Sequence, residues 1–377
     1  MKKNEKKFFL FFICFSAQAS RIDLTYDLNF EYEFNDNIRL RDDDISISGY
    51  KIEVPSSLKY STERFTSTVN LKASAERYNN DAYNNNNYEV NPQLIYSFGR
   101  TILNFDIVVE QDTTRDSEFL DTGIIDLIAR RRNLQSGFFS ADYRLSELSS
   151  IQVNFQRKEL EYEEGFRQNY NLTDMSTGYY RRVSETTNLN FILAKQIYDN
   201  ELNDNSDKDN ISIKLNLKKE ITENKYFKFD YGILKSEGRN LSTFDSENEY
   251  NDYEYIYGAS FKSTKPNLLL SYRKFVQPST IGLMTLNSQI RISYSYCGNC
   301  LTQISTNFVV GNNRALSNDE FNERDFYSGQ LRINRKFAPE LDVAIEYTYK
   351  KQMFIDPQLI GGESNTIKIK FNYKPQL

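Results

Sequence analysis

The chain has 377 residues, of which 26% are charged and 14% aromatic, with 27 Tyr, 27 Phe, no Trp and no His, and a formal net charge of −5. An acidic balance argues against a nucleic-acid partner, which would need a basic face. The missing histidine removes the usual general base, the Ser-His-Asp arrangement and His-ligated zinc, so no catalytic, cofactor or metal site is expected.

The first segment is a leader. Lys2, Lys3, Lys6 and Lys7 precede the apolar run Phe8 to Phe15, and Ala17-Gln18-Ala19 has the small-x-small pattern of a cleavage site. The run is far shorter than the roughly 20 residues that cross a hydrocarbon core. Cys14 follows Ile13, where lipid attachment wants a small residue. Residues 1–19 therefore read as a signal peptide and 20–377 as one exported domain starting at Ser20.

Directly behind it, Ile22, Leu24, Tyr26, Leu28, Phe30, Tyr32 and Phe34 alternate with Asp23, Thr25, Asp27, Asn29, Glu31 and Glu33. Such a period of two makes a strand with one oily and one wet face. Further strands are expected at 45–55, with a bulge near Gly49, and at 63–78, before an Asn-rich loop over Asn79–Asn87. The pattern continues at 88–98, 101–110, 130–145, 150–163, 168–182, 187–198, 209–219 and 225–235. It ends with 249–263, 268–276, 285–297, 301–311, 323–337, 341–352 and 364–373. Short turns such as Gly99-Arg100 and Ala338-Pro339-Glu340 alternate with long polar connections such as 111–128 and 236–248. The mean hydropathy of −0.64 is no objection, because only alternate strand residues meet lipid. The fold class that follows is all-β: a transmembrane antiparallel up-and-down barrel of about 18 strands, or 16 if region 35–65 is over-divided, with periplasmic termini. Its place is the bacterial outer membrane, and no separate plug segment is expected.

The polar parity of each strand assigns a lumen wall. Asp23, Asp27, Glu31 and Glu33 of the first strand should face Lys368, Lys370 and Asn372 of the last, acid against base across the closing seam. Asp106, Glu110, Arg291, Arg332, Lys336 and Glu346 are further lumen candidates, and no ring of one sign emerges. In Arg130-Arg131-Arg132 the parity turns Arg131 toward lipid, where a guanidinium suits lipopolysaccharide phosphates, and Arg130 and Arg132 inward. Cys297-Gly298-Asn299-Cys300 sits at a hairpin. Redox and metal readings compete there with a small disulfide, favoured in an oxidising compartment, between Cys297 and Cys300.

Tyr143-Arg144-Leu145-Ser146-Glu147-Leu148-Ser149-Ser150, with a degenerate copy at Tyr180-Arg181-Arg182-Val183-Ser184-Glu185-Thr186-Thr187, resembles a hairpin unit of an outer-membrane β-barrel family associated with exopolysaccharide biosynthesis and export. The resemblance covers roughly residues 130–200 at motif level. It implies a non-enzymatic channel assisting exopolysaccharide export, with periplasmic polysaccharide-export proteins as partners beside outer-membrane lipid and lipopolysaccharide. The alternatives are a general diffusion porin or small-solute channel, and a structural or adhesion barrel with a blocked lumen. A monomer is expected.

Overall fold

A computed structural model of the chain describes residues 21–41, 45–113, 131–163, 169–200, 208–241, 247–278, 284–298, 301–315, 323–356 and 360–375. The strand segments are β1 (Arg21–Tyr26), β2 (Leu28–Asn35), β3 (Ile47–Ser61), β4 (Phe65–Tyr78), β5 (Asn85–Phe98), β6 (Thr101–Thr113), β7 (Arg131–Ser146), β8 (Ser149–Tyr162), β9 (Tyr170–Ser184) and β10 (Thr187–Asn200). They continue as β11 (Lys208–Thr222), β12 (Lys225–Leu241), β13 (Glu247–Thr264), β14 (Asn267–Pro278), β15 (Met284–Cys297), β16 (Thr302–Ala315), β17 (Arg324–Ala338), β18 (Leu341–Phe354) and β19 (Glu363–Tyr373). Every pairing is between antiparallel neighbours, and β19 pairs with β2, so the sheet closes on itself.

β1 and β2 are two pieces of one stave. Both run along β3 in unbroken register, from Arg21 opposite Ser61 to Asn35 opposite Ile47. The break falls at Asp27, whose position faces Pro55. The Asp27 N–H donates to the Pro55 carbonyl at 2.9 Å, but proline has no N–H to return. Counted as one stave, the pieces make an 18-stranded barrel. An even count with both chain ends on one side is usual for single-chain outer-membrane barrels.

The alternation read in the sequence is the alternation of the wall. Ile22, Leu24, Tyr26, Leu28, Phe30, Tyr32 and Phe34 are all exposed, and Phe30 stands beside Tyr50 and Phe371 on the neighbouring staves. These side chains have no second sheet to bury them. They form the surface that meets acyl tails.

Three details differ from the sequence pattern. The second strand does not stop at residue 55 but runs to Ser61, because Pro55 sits where only the Asp27 side of the ladder loses a bond. No bulge exists near Gly49: the β2–β3 register is continuous there. The phase looks shifted because Ile47 is an inward residue that is apolar, packed with Ile38, Tyr78 and Tyr83. The Asn-rich segment is also shorter than expected. Asp81–Tyr83 form a 3-10 turn, and Asn85–Asn87 already belong to β5.

Candidate functional site

The lumen wall begins at the seam. Lys368 of β19 stands 2.8 Å from Glu31 and 3.3 Å from Glu33 of β2. Lys370 bridges Glu31 at 3.2 Å and Glu346 of β18 at 3.0 Å. Tyr78 on β4 donates its hydroxyl to Glu33 at 3.2 Å, and Lys51 on β3 reaches Glu76 at 3.0 Å. Alternating signs thus run across five neighbouring staves, so this part of the wall is polar without a strong field of one sign.

The next staves are held by amides. Asn91 of β5 is buried and donates to Asp106 at 2.5 Å and to the Ile107 carbonyl at 2.9 Å. Its neighbour Pro92 lacks an N–H, and the β5–β6 ladder is interrupted at Asn91 and Pro92. The Asn91 side chain supplies a donor in the gap, which matters where no water can reach the backbone from the lipid side. Further out, Arg132 forms a two-pronged contact with Asp112, at 2.8 and 2.5 Å.

Two intrusions narrow the outer end. The connection from β2 to β3 folds inward past β19 and β18, and its Leu40 packs on Val309 of β16 and Phe326 of β17. Leu40 has a φ of 54°, and its carbonyl accepts from Gln352 at 3.3 Å. Gly362 lies so close that a Cβ there would fall 2.7 Å from the Leu40 carbonyl carbon. Asp36 ties the same connection to Asn365 at 2.6 and 2.7 Å. Beneath it, Arg324 is fully buried, donating to Gln352 at 2.9 Å with its guanidinium over the Phe326 ring.

The second intrusion comes from the β14–β15 hairpin, beside β16 in the sheet. On β14 and β15, Val276 and Met284 have the parity of the lipid-facing residues Leu270 and Ile290, yet Met284 is only 2% exposed. They pack instead on Leu172 of β9 and Tyr198 of β10, both inward residues. The outer end of the β14–β15 hairpin therefore tilts into the barrel and lays its outer face against the inner face of β9 and β10. Toward the periplasmic turns, a cavity of about 940 Å³ is lined by Asn104, Asp142, Arg144, Gln152, Tyr180 and Arg182, among others.

Asp23 and Asp27 do not meet the last strand as the parity suggested: β19 ends its pairing at Tyr373 opposite Leu28, and Asp23 pairs instead with Arg21 at 2.8 Å. Glu110 lines a smaller cavity with Glu76 and Asp112. Arg332 stands opposite Glu346, and Lys336 opposite Asp342, in the β17–β18 register. Arg291 lies opposite Ser271 and Val309. Arg131 is half-exposed, 3.7 Å from Glu163; Arg130 lies outside the described residues. Cys297 ends β15 in an exposed position, and Cys300 lies outside the described residues, as does the leader. Leu40, Arg324, Phe326 and Gln352 were not expected at the lumen. Phe326 alone carried a signal, an apolar residue at an inward position; Arg324 and Gln352 follow the inward polar parity of β17 and β18, and Leu40 lies in a connection that has no strand parity.

No protein-family model matches the sequence, and no curated protein matches it. The fold has clear counterparts among solved structures. The outer membrane protein opdK from Pseudomonas aeruginosa superposes with a TM-score of 0.51 at 11% identity, covering 94% of this chain and 99% of its own. OpdQ from the same organism gives 0.51 at 10% identity, with 94% and 97% covered. OccAB2 from Acinetobacter baumannii gives 0.51 at 8% identity, with 94% and 98% covered. The chain is an outer-membrane β-barrel. At these identities the likeness is one of fold, and the barrel's lumen has to be read from its own side chains.

Proposed function

We propose that this barrel is a channel for small polar solutes. The observation that carries the reading is the pair of intrusions, Leu40 on Phe326 and Met284 on Tyr198, above the cavity toward the periplasmic turns. A lumen narrowed by two inward elements suits molecules that pass singly. Its wall of alternating charges and amides offers hydrogen bonds to uncharged or zwitterionic solutes without trapping ions of one sign. Export of a polysaccharide is less well supported. It rests on the motifs Tyr143–Ser150 and Tyr180–Thr187, and these form the tight turns between β7 and β8 and between β9 and β10, a role that demands turn chemistry rather than polymer recognition.

The test is conductance in planar bilayers, paired with liposome swelling in a series from amino acids and monosaccharides to large oligosaccharides. Open-channel current together with swelling that stops at small solutes is expected. Absence of current would favour a closed structural barrel, and passage of long oligosaccharides would favour the polymer route.

A further inference from the structure

The wall of the barrel is forked. β13 pairs with β12 along its whole length, from Ser263 opposite Lys225 to Glu247 opposite Leu241. With β14 it pairs only from Thr264 opposite Asn267 to Tyr257 opposite Lys274, eight rungs. Beyond that point β14 pairs with β15 alone, and the β13 edge from Glu247 to Ile256 has no strand beside it among the described residues. The cause is the inward tilt of the β14–β15 hairpin. Lys274, which has outward parity, reaches Glu254, which has inward parity, at 3.0 Å. That contact reaches across the two faces of the sheet, as an inward displacement of β14 past the β13 edge allows.

Eight rungs at about 3.3 Å each, on a strand tilted by about 40°, place the fork about 20 Å above the periplasmic turn, in an apolar band about 25 Å tall. It therefore opens at the level of the outer leaflet. Tyr253 and Tyr255 on the free edge are 66% and 57% exposed, and Tyr255 stacks with Tyr231, as side chains of an interfacial girdle do. Unpaired backbone is tolerated at that depth only where it lines a polar cavity or is covered. A cavity of about 240 Å³ lies at the fork, and residues of both faces line it: Lys214, Asp230 and Arg273 from the lumen side, Tyr231, Tyr257 and Lys274 from the outer side. Gly232 and Gly258 keep its inner wall low.

We infer that the fork between β13 and β14 is a lateral opening that takes a single-chain amphiphile with an anionic head from the lumen to the outer leaflet, or the reverse. The charge of the cavity selects the head. Lys228 is 3.5 Å from Asp230 and Lys274 is held by Glu254, which leaves Lys214 and Arg273 without an ion pair among the described residues. Ile256, Phe275 and Tyr257 give the alkyl chain an apolar path between the strand edges. The Lys274–Glu254 pair is the latch across it. This opening does not depend on conduction along the barrel axis, so the two can fail separately.

The test closes the fork covalently. Ile256 and Phe275 would be the next rung if pairing continued. In a Cys297→Ser, Cys300→Ser background, Ile256→Cys with Phe275→Cys zips the edges. The probe is anthroyloxystearate, with its neutral alcohol as control, added to refolded protein in phosphatidylcholine vesicles. Saturable binding of the acid is expected, reduced tenfold or more by the disulfide and restored by reduction. Lys214→Glu should weaken the acid and leave the alcohol alone. If the disulfide does not form, Gly258→Leu, which fills the cavity, gives the same reading. Acid binding that is absent from the parent protein, or untouched by either closure, overturns the lateral opening whatever the axial conductance.

Discussion

Lys368 and Glu31 meet at 2.8 Å across the seam where the last strand closes on the first. The contact joins residues from the two ends of the chain, so it forms only when the barrel is complete. Both side chains are less than a fifth exposed. Lys368→Glu would set a third carboxylate against Glu31 and Glu33, and should lower stability by about 3 kcal/mol, in the range seen when a buried charge loses its partner. Lys368→Arg should keep most of it. The urea midpoint for folding into lipid vesicles measures this, and an unchanged midpoint for Lys368→Glu would show that the seam closes on backbone bonds alone.

Asn91 is expected to matter more than its neighbours. Asn91→Leu keeps the volume but removes the donor from Asp106 and from the Ile107 carbonyl. Leaving such groups unmatched costs about 1–3 kcal/mol. Gln93→Leu should cost less, because Gln93 reaches Asp106 at only 3.4 Å and its other contact is to Asn91 itself. Equal urea midpoints for the two variants would remove the special role of Asn91.

Leu40→Gly separates narrowing from stability. Glycine relieves a left-handed backbone that costs other residues about 1–2 kcal/mol. It forfeits the burial of one leucine, about 1.5–3 kcal/mol. The two partly offset each other, so the net loss of folding stability should be no more than about 2 kcal/mol. Single-channel conductance should rise, because the contact with Val309 and Phe326 is gone. Conductance that stays constant would place the narrowest point elsewhere, with the β14–β15 hairpin as the next element to trim.

The β1 piece should be the softest part of the wall. β19 ends its pairing with Tyr373 opposite Leu28, so among the described residues Arg21–Tyr26 have a neighbour on β3 only. Their amides should exchange with solvent faster than those of Leu28–Asn35. Pro55→Val restores a donor opposite Asp27, a gain of about 1 kcal/mol set against a comparable loss of proline rigidity. Slower exchange around Asp27 with little change in stability is the expected result, and equal exchange in β1 and β2 would contradict the pairing.

The closed wall was legible in the residue pattern alone. A strand period of two is a local property, written in Ile22 to Phe34 and repeated in every stave. Eighteen such runs with short and long connections in alternation leave only one way to satisfy backbone bonds in lipid. Parity likewise placed Glu31, Glu346, Lys368 and Lys370 on one face before any contact was known. The interior was a different matter. Leu40 meets Phe326, and Met284 meets Tyr198, across gaps of more than eighty residues with no period to announce them. The tilt of β14 turns lipid-parity residues inward, so alternation there predicts the wrong neighbours. Strand pairing is fixed by adjacent chain, but what fills a lumen is fixed by which distant surfaces fit together, and only the folded barrel brings those surfaces within reach.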